Sequence, residues 1–240
     1  MDIAEKNGCQ NFVLISSDKA VNPTNVMGAT KRVGELILAC QKANSMRCVS
    51  VRFGNVLGSS GSVVPVLQRQ LRKGEPLTIT HPEIRRFFMT TREAVSLVLE
   101  AYAIGEHGDI LVLDMGESVS ILELARTLIR LSGKNEEQVG IRFTGLREGE
   151  KLYEELFSLA EEVSATSRPK IKRVRSRRME WPLLVQHLSE LRASLTVDGA
   201  APIRAKLQEI VPEYSSEVNG QSENQDPTTP EVYHQVAGHR

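Results

Sequence analysis

The sequence predicts an α/β fold built on a mainly parallel sheet. Short apolar runs of strand length recur at Asn11–Ser16 (NFVLIS), Arg47–Phe53 (RCVSVRF) and Asp109–Asp114 (DILVLD). Between them lie segments of helical periodicity that open on cap residues and close on glycines. Strands alternating with helices favour parallel pairing, because each helix carries the chain back to the starting end of the sheet.

The elements follow in order. Residues Met1–Gln10 lack a basic start followed by an apolar stretch, so they do not read as a signal peptide. They read as the end of a helix with Gly8 as its C-cap. The run at 11–16 fits a buried strand. Pro23, within the polar stretch Ser17–Asn25, delays the next helix. The spacing of Val33, Leu36, Ile37 and Cys40 places that helix from about Val26 to Ala43. Residues 47–53 form the next buried strand. Ser62 stands at the cap of a helix that has Pro65 in its first turn and ends before Gly74. Leu77–Thr80 is a short strand. Thr90 and Glu93 have capping-box spacing, and their helix stops near Gly105. Ser120 and Glu123 repeat the pattern, with Gly133 at the far end. A weaker strand follows at Val139–Thr144. Beyond about Ser215 large apolar side chains are few, and the segment is expected to be disordered because it buries too little surface to offset its ordering entropy.

Thirty basic side chains balance thirty acidic ones, so no net field draws the chain to nucleic acid or an anionic membrane. No apolar run reaches the length of a membrane span. Cys9, Cys40 and Cys48 are odd in number and lack metal-ligand spacing, which fits a reducing, cytoplasmic setting without a disulfide framework or a zinc site. Val163–Met179 has no acidic residue but carries Arg168, Lys170, Lys172, Arg173, Arg175, Arg177 and Arg178. That pattern reads as a solvated linker or surface strand, or as a contact for substrate phosphates or an acidic partner.

Ser16-Ser17-Asp18-Lys19-Ala20 falls at the C-terminal end of the first strand, where open α/β sheets bind ligands. Met27 and Lys31, one turn apart on the following helix, face the same way. An Asp beside a Lys, with a second Lys near, suits acid–base work. The same residues also make a loop cap or a surface ion pair, which contributes little.

The segment SSDKAVNPTNVMGATKR resembles the active-site signature of the polysaccharide-biosynthesis nucleotide-sugar 4,6-dehydratases, within the extended short-chain dehydrogenase/reductase superfamily. Met27-Gly28-Ala29-Thr30-Lys31 keeps the superfamily's Tyr-x-x-x-Lys spacing with methionine in the tyrosine place, as in one branch of the dehydratases. Val51–Gly58 (VRFGNVLG) resembles the family's next strand and substrate loop. Arg85–Thr90 (RRFFMT) resembles its later arginine motif, and Leu146–Lys151 (LREGEK) its closing motif. The four motifs occur in order, and the resemblance spans Asn7–Phe157.

The resemblance implies that residues 1–157 are a partial NAD(P)-binding domain: the C-terminal part of a Rossmann-like parallel sheet with the small substrate-binding subdomain. Residues 158–214 would be a C-terminal extension and 215–240 a disordered tail. It implies a reaction on a UDP-N-acetylhexosamine such as UDP-GlcNAc that makes a 4-keto-6-deoxy sugar nucleotide for surface polysaccharide or glycan. There NAD+ accepts a hydride from C4, a base removes the C5 proton, water leaves C6 with help from an acid, and the hydride returns to C6. Lys19 is implied as the base, which requires a neutral amine, and Asp18 as the acid, protonated at the moment of transfer. Ser17 would hydrogen-bond the C4 oxygen. Met27 cannot move a proton and would shape the pocket. Lys31 would hold the nicotinamide ribose, and Asn55 would touch the sugar or its phosphates. Arg86 and Arg147 would meet the pyrophosphate, with Glu150 on the same substrate side. Plainer readings stand beside these: Asn55 closing a turn, Arg86 or Arg147 in a structural ion pair, and Glu150 paired with Arg147. Methionine for tyrosine leans, by analogy, toward the branch that retains C5 configuration.

The sequence contains no G-x-G-x-x-G turn of the kind that lets backbone approach a pyrophosphate. The resemblance therefore implies that the dinucleotide-binding strands, and the membrane spans at the front of some members, lie outside these residues. One expectation is a catalytic part that works with a separate N-terminal half or as a homo-oligomer. Another is a non-catalytic fragment that at most binds sugar nucleotide. A third, a nucleotide-sugar epimerase, is disfavoured by Asp18-Lys19 and Met27. A parallel strand without its neighbour would leave an apolar edge prone to association.

Overall fold

The computed structural model describes residues 1–41, 46–59, 61–175 and 179–215. Residues 42–43 at the end of the expected second helix, Arg177 and Arg178 of the basic run, and nearly all of the expected disordered tail lie outside the described residues. The elements run α1 (Asp2–Lys6), β1 (Asn11–Ile15), a 3-10 turn (Asp18–Ala20), α2 (Val26–Cys40), β2 (Arg47–Arg52), β3 (Asn55–Val56), α3 (Val63–Lys73), β4 (Leu77–Ile79), β5 (Arg85–Arg86) and β6 (Phe88–Met89). They continue with α4 (Thr91–Ile104), β7 (Ile110–Leu113), β8 (Val119–Ser120), α5 (Ile121–Leu131), α6 (Glu136–Val139), β9 (Ile141–Phe143), β10 (Glu162–Ala165), β11 (Ile171–Arg175), α7 (Trp181–Ser194) and α8 (Ala201–Ile210).

The main sheet has the order β1-β2-β7-β11-β10. β1, β2 and β7 are parallel, and β11 and β10 add antiparallel. Alternation along the strands sorts side chains to two covered faces. On one face Val51, Leu111 and Leu113 pack with Ala94, Leu97 and Ala101 of α4. On the other, Cys48 packs with Leu38 of α2, alongside Phe12 and Leu14 of β1. β1 is an edge strand, and Ile15 at its end is exposed.

The caps form much as the sequence indicates. Gly8 takes φ +76° and closes α1 in a Schellman turn, with Gly8 N–H donating to Glu5 and Cys9 N–H to Ala4. Thr90 and Ser120 each accept the backbone N–H three residues on. The Glu93 and Glu123 side chains do not reach back; they pair with Lys170 and Arg126. Ser62 occupies its N-cap position without a side-chain bond. The full capping box lies at Asn135–Gln138 and opens α6, which takes the first residue of the strand expected from Val139.

The basic run is corrected by the sheet. β11 is an inner strand with Ile171 and Val174 buried, not a linker, while β10 outside it is exposed. Its cations find acids on the adjoining α4–β7 unit: Lys170 with Glu93 at 3.0 Å and Arg173 with Asp109 at 2.9 Å. A second core joins Leu67 of α3, Leu77 and Ile79 of β4, and Ile121, Ala125 and Ile129 of α5 into a small subdomain. The α7–α8 hairpin covers α2: Leu184, Leu207 and Ile210 pack on Ala29, Val33 and Leu36.

Candidate active site

β1 and β2 end side by side, and the ladder continues past them. Ser16 N–H donates to Val51 and Asp18 N–H to Phe53, which sets the Asp18 turn at the carboxyl ends of the parallel strands. Ser17 caps the turn and accepts from the Lys19 N–H at 3.3 Å. Asp18 is fully buried. Its Oδ1 accepts from Ser17 Oγ at 2.8 Å and from Lys19 Nζ at 3.0 Å. Its Oδ2 is buried and has no partner among the described residues. A Cβ on Gly54 would come within 3.1 Å of that oxygen and 2.9 Å of Phe87 Cβ, so glycine keeps the oxygen uncrowded.

Lys19 Nζ also points to Asn55 Oδ1 at 3.5 Å and Glu154 Oε1 at 3.8 Å. Its immediate partners are therefore carboxylates and an amide; the guanidinium of Arg86 approaches the same Glu154 oxygen, at 3.7 Å. Asn55 is in β3 and donates to Phe87 O at 3.2 Å, so it fixes Lys19 and does more than close a turn. Gly28 matters for a steric reason. A Cβ there would lie 2.2 Å from the Lys19 carbonyl oxygen, so α2 packs against the turn only because residue 28 is glycine. Met27 is half exposed on the first turn of α2, and Lys31 one turn on donates to Ile15 O at 3.0 Å.

The remaining expected residues divide. Arg86 is held by the protein itself. Nη1 donates to the carbonyls of Arg85 at 2.8 Å and Leu152 at 3.2 Å, Nη2 to Glu150 Oε1 at 3.2 Å, and Nε lies 3.7 Å from Glu154. This is the structural ion pair, and it uses three of the five N–H groups. Glu150 accepts from Arg86 and from the Arg147 backbone N–H at 3.2 Å, so its pairing with the Arg147 side chain is not the one formed. Arg147 is exposed, and its guanidinium has no partner among the described residues. Gly149, at φ +69°, lets the closing motif approach α2, where Thr24 Oγ1 and Asn25 Nδ2 donate to its carbonyl at 2.8 and 3.0 Å.

Two charged features had no flag in the sequence reading. Glu154 is buried beside Lys19 and Arg86. Burial pushes its carboxyl above the usual 4.5, Lys19 pulls it down, Asp18 pushes it up, and Arg86 and Lys151 pull it down, with a net rise. A separate cluster joins Ser16, Arg32, Glu35, Arg52 and Glu161 in the interior. A glutamate in a KLYEEL segment and an arginine inside a strand were the available signals. Among the described residues no helix is long and apolar enough to cross a membrane.

A mainly parallel α/β sheet with an ionisable turn at the carboxyl ends of its parallel strands is a Rossmann-like arrangement. The fold is shared, at 19% identity and a TM-score of 0.57, with a dTDP-glucose 4,6-dehydratase from Streptomyces venezuelae solved with NAD bound, over 63% of this chain and 52% of that one. More particularly, the profile of the polysaccharide biosynthesis protein family matches residues 1–176, and the chain belongs to that family. It is 50% identical over 190 residues to the probable polysaccharide biosynthesis protein EpsC of Bacillus subtilis, covering 79% of this chain and 32% of that protein. It is 54% identical over 157 residues to the capsular polysaccharide biosynthesis protein CapD of Staphylococcus aureus, covering 65% of this chain and 26% of that protein. A UDP-glucose 4-epimerase of Rickettsia canadensis is 42% identical over 163 residues, covering 66% and 46%. The structure of Pen from Bacillus thuringiensis aligns with a TM-score of 0.65 at 31% identity, over 75% of this chain and 57% of that one. The chain thus spans a third or less of the length of its EpsC and CapD relatives.

Proposed function

We propose that these residues are the acid–base and substrate side of a UDP-N-acetylhexosamine 4,6-dehydratase that makes a 4-keto-6-deoxy sugar nucleotide for polysaccharide or glycan synthesis. The reading is carried by the 3.0 Å hydrogen bond from Lys19 Nζ to Asp18 Oδ1, beside a buried Asp18 Oδ2 that has no partner among the described residues. Dehydration needs one proton taken from C5 and one given to the C6 oxygen. Lys19 takes the first and Asp18 gives the second. The proton gained by Lys19 then crosses the 3.0 Å contact to Asp18 and resets the pair. The ion pair and the amine–carboxylic acid form hold the same number of protons, so no outside acid or base is needed.

Ser17 Oγ, one residue from Asp18 and bonded to it at 2.8 Å, is suited to the C4 oxygen. Asn55 keeps Lys19 in place, and exposed Arg147, in preference to Arg86, is assigned to the pyrophosphate. NAD+, when bound, supplies hydride acceptance at C4 and return at C6. Lys31 fits its ribose: the ammonium has three donors and uses one on Ile15 O. The rest of the dinucleotide site is assigned to a segment other than these 240 residues, in the same polypeptide, in a separate N-terminal half or in an oligomer.

A second reading, a 4-epimerase, is favoured by the 42% identity to the Rickettsia canadensis relative. Epimerisation moves a hydride at C4 and has no use for proton transfer at C5. Incubation with NAD+, UDP-GlcNAc and a dinucleotide-binding segment in heavy water separates the readings. The dehydratase gives deuterium at C5 and loss of water, both abolished by Lys19→Ala. Inversion at C4 without deuterium at C5 means an epimerase. Deuterium incorporation unchanged in Lys19→Ala removes Lys19 as the base. Sugar-nucleotide binding without turnover means a non-catalytic fragment.

A further inference from the structure

Glu154 has none of the roles assigned above, yet its position is closely fixed. Its side chain is 5% exposed, and its Oε1 lies 3.8 Å from Lys19 Nζ and 3.7 Å from Arg86 Nε. The backbone two residues to either side is pinned by arginines from two strands. Leu152 O accepts from Arg86 Nη1 at 3.2 Å, and Leu156 O accepts from Arg52 Nη1 at 3.1 Å. A carboxylate held this way is not a flexible surface acid that happens to lie near a lysine.

We propose that Glu154 is a positioning residue acting through Lys19: its carboxylate oxygen lies within 4 Å of both Lys19 Nζ and Arg86 Nε, and it faces the ammonium that Lys19 becomes on taking a proton. A buried anion in contact range of two cations attracts both and offsets their mutual repulsion. The charged groups bearing on Glu154 are Lys19 and Asp18 from the turn, Arg86 from β5 and Lys151 from its own segment. Burial of the carboxyl at the same point supports the assignment, since an anion kept there without cationic partners would be expensive. In turnover the C5–H bond breaks, an N–H bond forms at Lys19, and the electron pair left on carbon expels the C6 oxygen, which takes its proton from Asp18. Glu154 exchanges no atom and supplies only charge. Its part in turnover rests on the dehydratase reading; its hold on Lys19 does not.

The test reads Lys19 directly. The chain is labelled with a trace of acetic anhydride at pH 8, and the rate at Lys19 is followed by peptide mass spectrometry. Glu154→Gln should label Lys19 several-fold faster, because the carboxylate 3.8 Å from the amine that holds its ammonium form is removed. Glu155→Gln, which removes an exposed neighbour paired with Lys151, should label at the parent rate. Glu154→Asp keeps the charge but withdraws it by a methylene; it should give an intermediate rate, and it decides the matter should the Gln variant unfold. Equal labelling of Lys19 in the parent and in the folded Glu154 variants would overturn the proposal. The C5 exchange assay judges the dehydratase reading separately, since labelling needs no substrate.

Discussion

Replacing Arg52 by methionine should destabilise the chain far more than any surface substitution. The guanidinium is fully buried at the end of β2. Nη2 meets Glu35 Oε2 at 2.7 Å and Glu161 Oε1 at 3.0 Å, Nε meets Glu35 Oε1 at 3.1 Å, and Nη1 meets Glu161 Oε2 at 3.0 Å and Leu156 O at 3.1 Å. Methionine occupies much of the same space but makes none of these bonds. Glu35 and Glu161 then stay in the interior, with Arg32, 3.2 Å from Glu35, as the cation still paired with it. Removing one partner of a buried ion pair costs about 3–5 kcal/mol, a large share of the roughly 5–15 kcal/mol that holds a domain together. At about 2–4 °C per kcal/mol for a chain of this size, the melting midpoint should fall by roughly 6–20 °C.

Urea denaturation followed by far-UV circular dichroism and by the single tryptophan, Trp181, which packs in the α2–α7–α8 core, measures the loss. A double variant, Arg52→Met with Glu35→Leu, supplies the control. Pairs replaced together by apolar residues often lose little, because the desolvation penalty leaves with the charges. The double variant should therefore be more stable than Arg52→Met alone, with a coupling of at least about 1 kcal/mol. A loss under about 1 kcal/mol for Arg52→Met, or two losses that simply add, would refute the claim that these charges act as one unit.

Further outcomes follow from the same geometry. Burial pushes the Glu35 carboxyl up, but Arg52, Arg32 and Ser16 outweigh it and hold it below 4.5. Its contribution is thus complete above about pH 4.5 and lost as pH falls through the lowered value, and Glu35→Gln should remove that part of the acid sensitivity in denaturation curves at stepped pH. Glu154 has the opposite sign: with its carboxyl raised, stability should fall as pH rises from 4.5 through the raised value, and Glu154→Gln should flatten that limb. Gly28→Ala, whose Cβ meets the Lys19 carbonyl oxygen at 2.2 Å, should cost about 1–3 kcal/mol by thermal melt. Arg86→Gln should cost about 1.5–3 kcal/mol, because the guanidinium makes three part-buried hydrogen bonds and an ion pair, whereas Arg147→Gln should stay within about 0.5 kcal/mol and weaken UDP-sugar binding by calorimetry.

Much of this was legible in the sequence, for reasons that differ between fold and site. Strand and helix positions follow from local periodicity and caps, which is why α3, α4 and α5 end at Gly74, Gly105 and beside Gly133 as their spacing indicates. The Ser17–Asp18–Lys19 turn is legible because it is contiguous. What was not legible is long-range. Glu154 meets Lys19 across 135 positions of chain, and Arg52 meets Glu161 across 109, and nothing in the local composition of either segment records that pairing. The basic run misled for a related reason. Alternating Lys and Arg looks like a solvated strand until the acids that face it, Glu93 and Asp109, are placed beside it by the sheet.

The two buried charge clusters also explain why one reads as scaffold and the other as a site. Around Arg52 every hydrogen-bonding direction is met within the protein: Glu35 accepts from Arg52, Arg32 and Ser16, and Glu161 from Arg52 and the Ser158 N–H. A closed set of this kind has nothing to offer a ligand. Around Lys19 the set is open. Among the described residues Asp18 Oδ2 lacks a partner although Asp18 is wholly buried, the Arg147 guanidinium meets no protein group, and Lys31 uses one of its three donors. A buried acceptor without a donor costs about 1–3 kcal/mol, and a fold can shed that cost with a single Thr or Asn nearby. Here the neighbouring position is Gly54, which cannot donate from a side chain and leaves the oxygen clear. The expense is tolerable if a sugar hydroxyl supplies the missing donor. Gly54→Ala and Gly54→Ser place the same Cβ 2.9 Å from Phe87 Cβ, so the proposed dehydration should fall further in Gly54→Ser, whose hydroxyl can donate to Asp18 Oδ2, than in Gly54→Ala, and equal turnover of the two would show that this oxygen has no part in it.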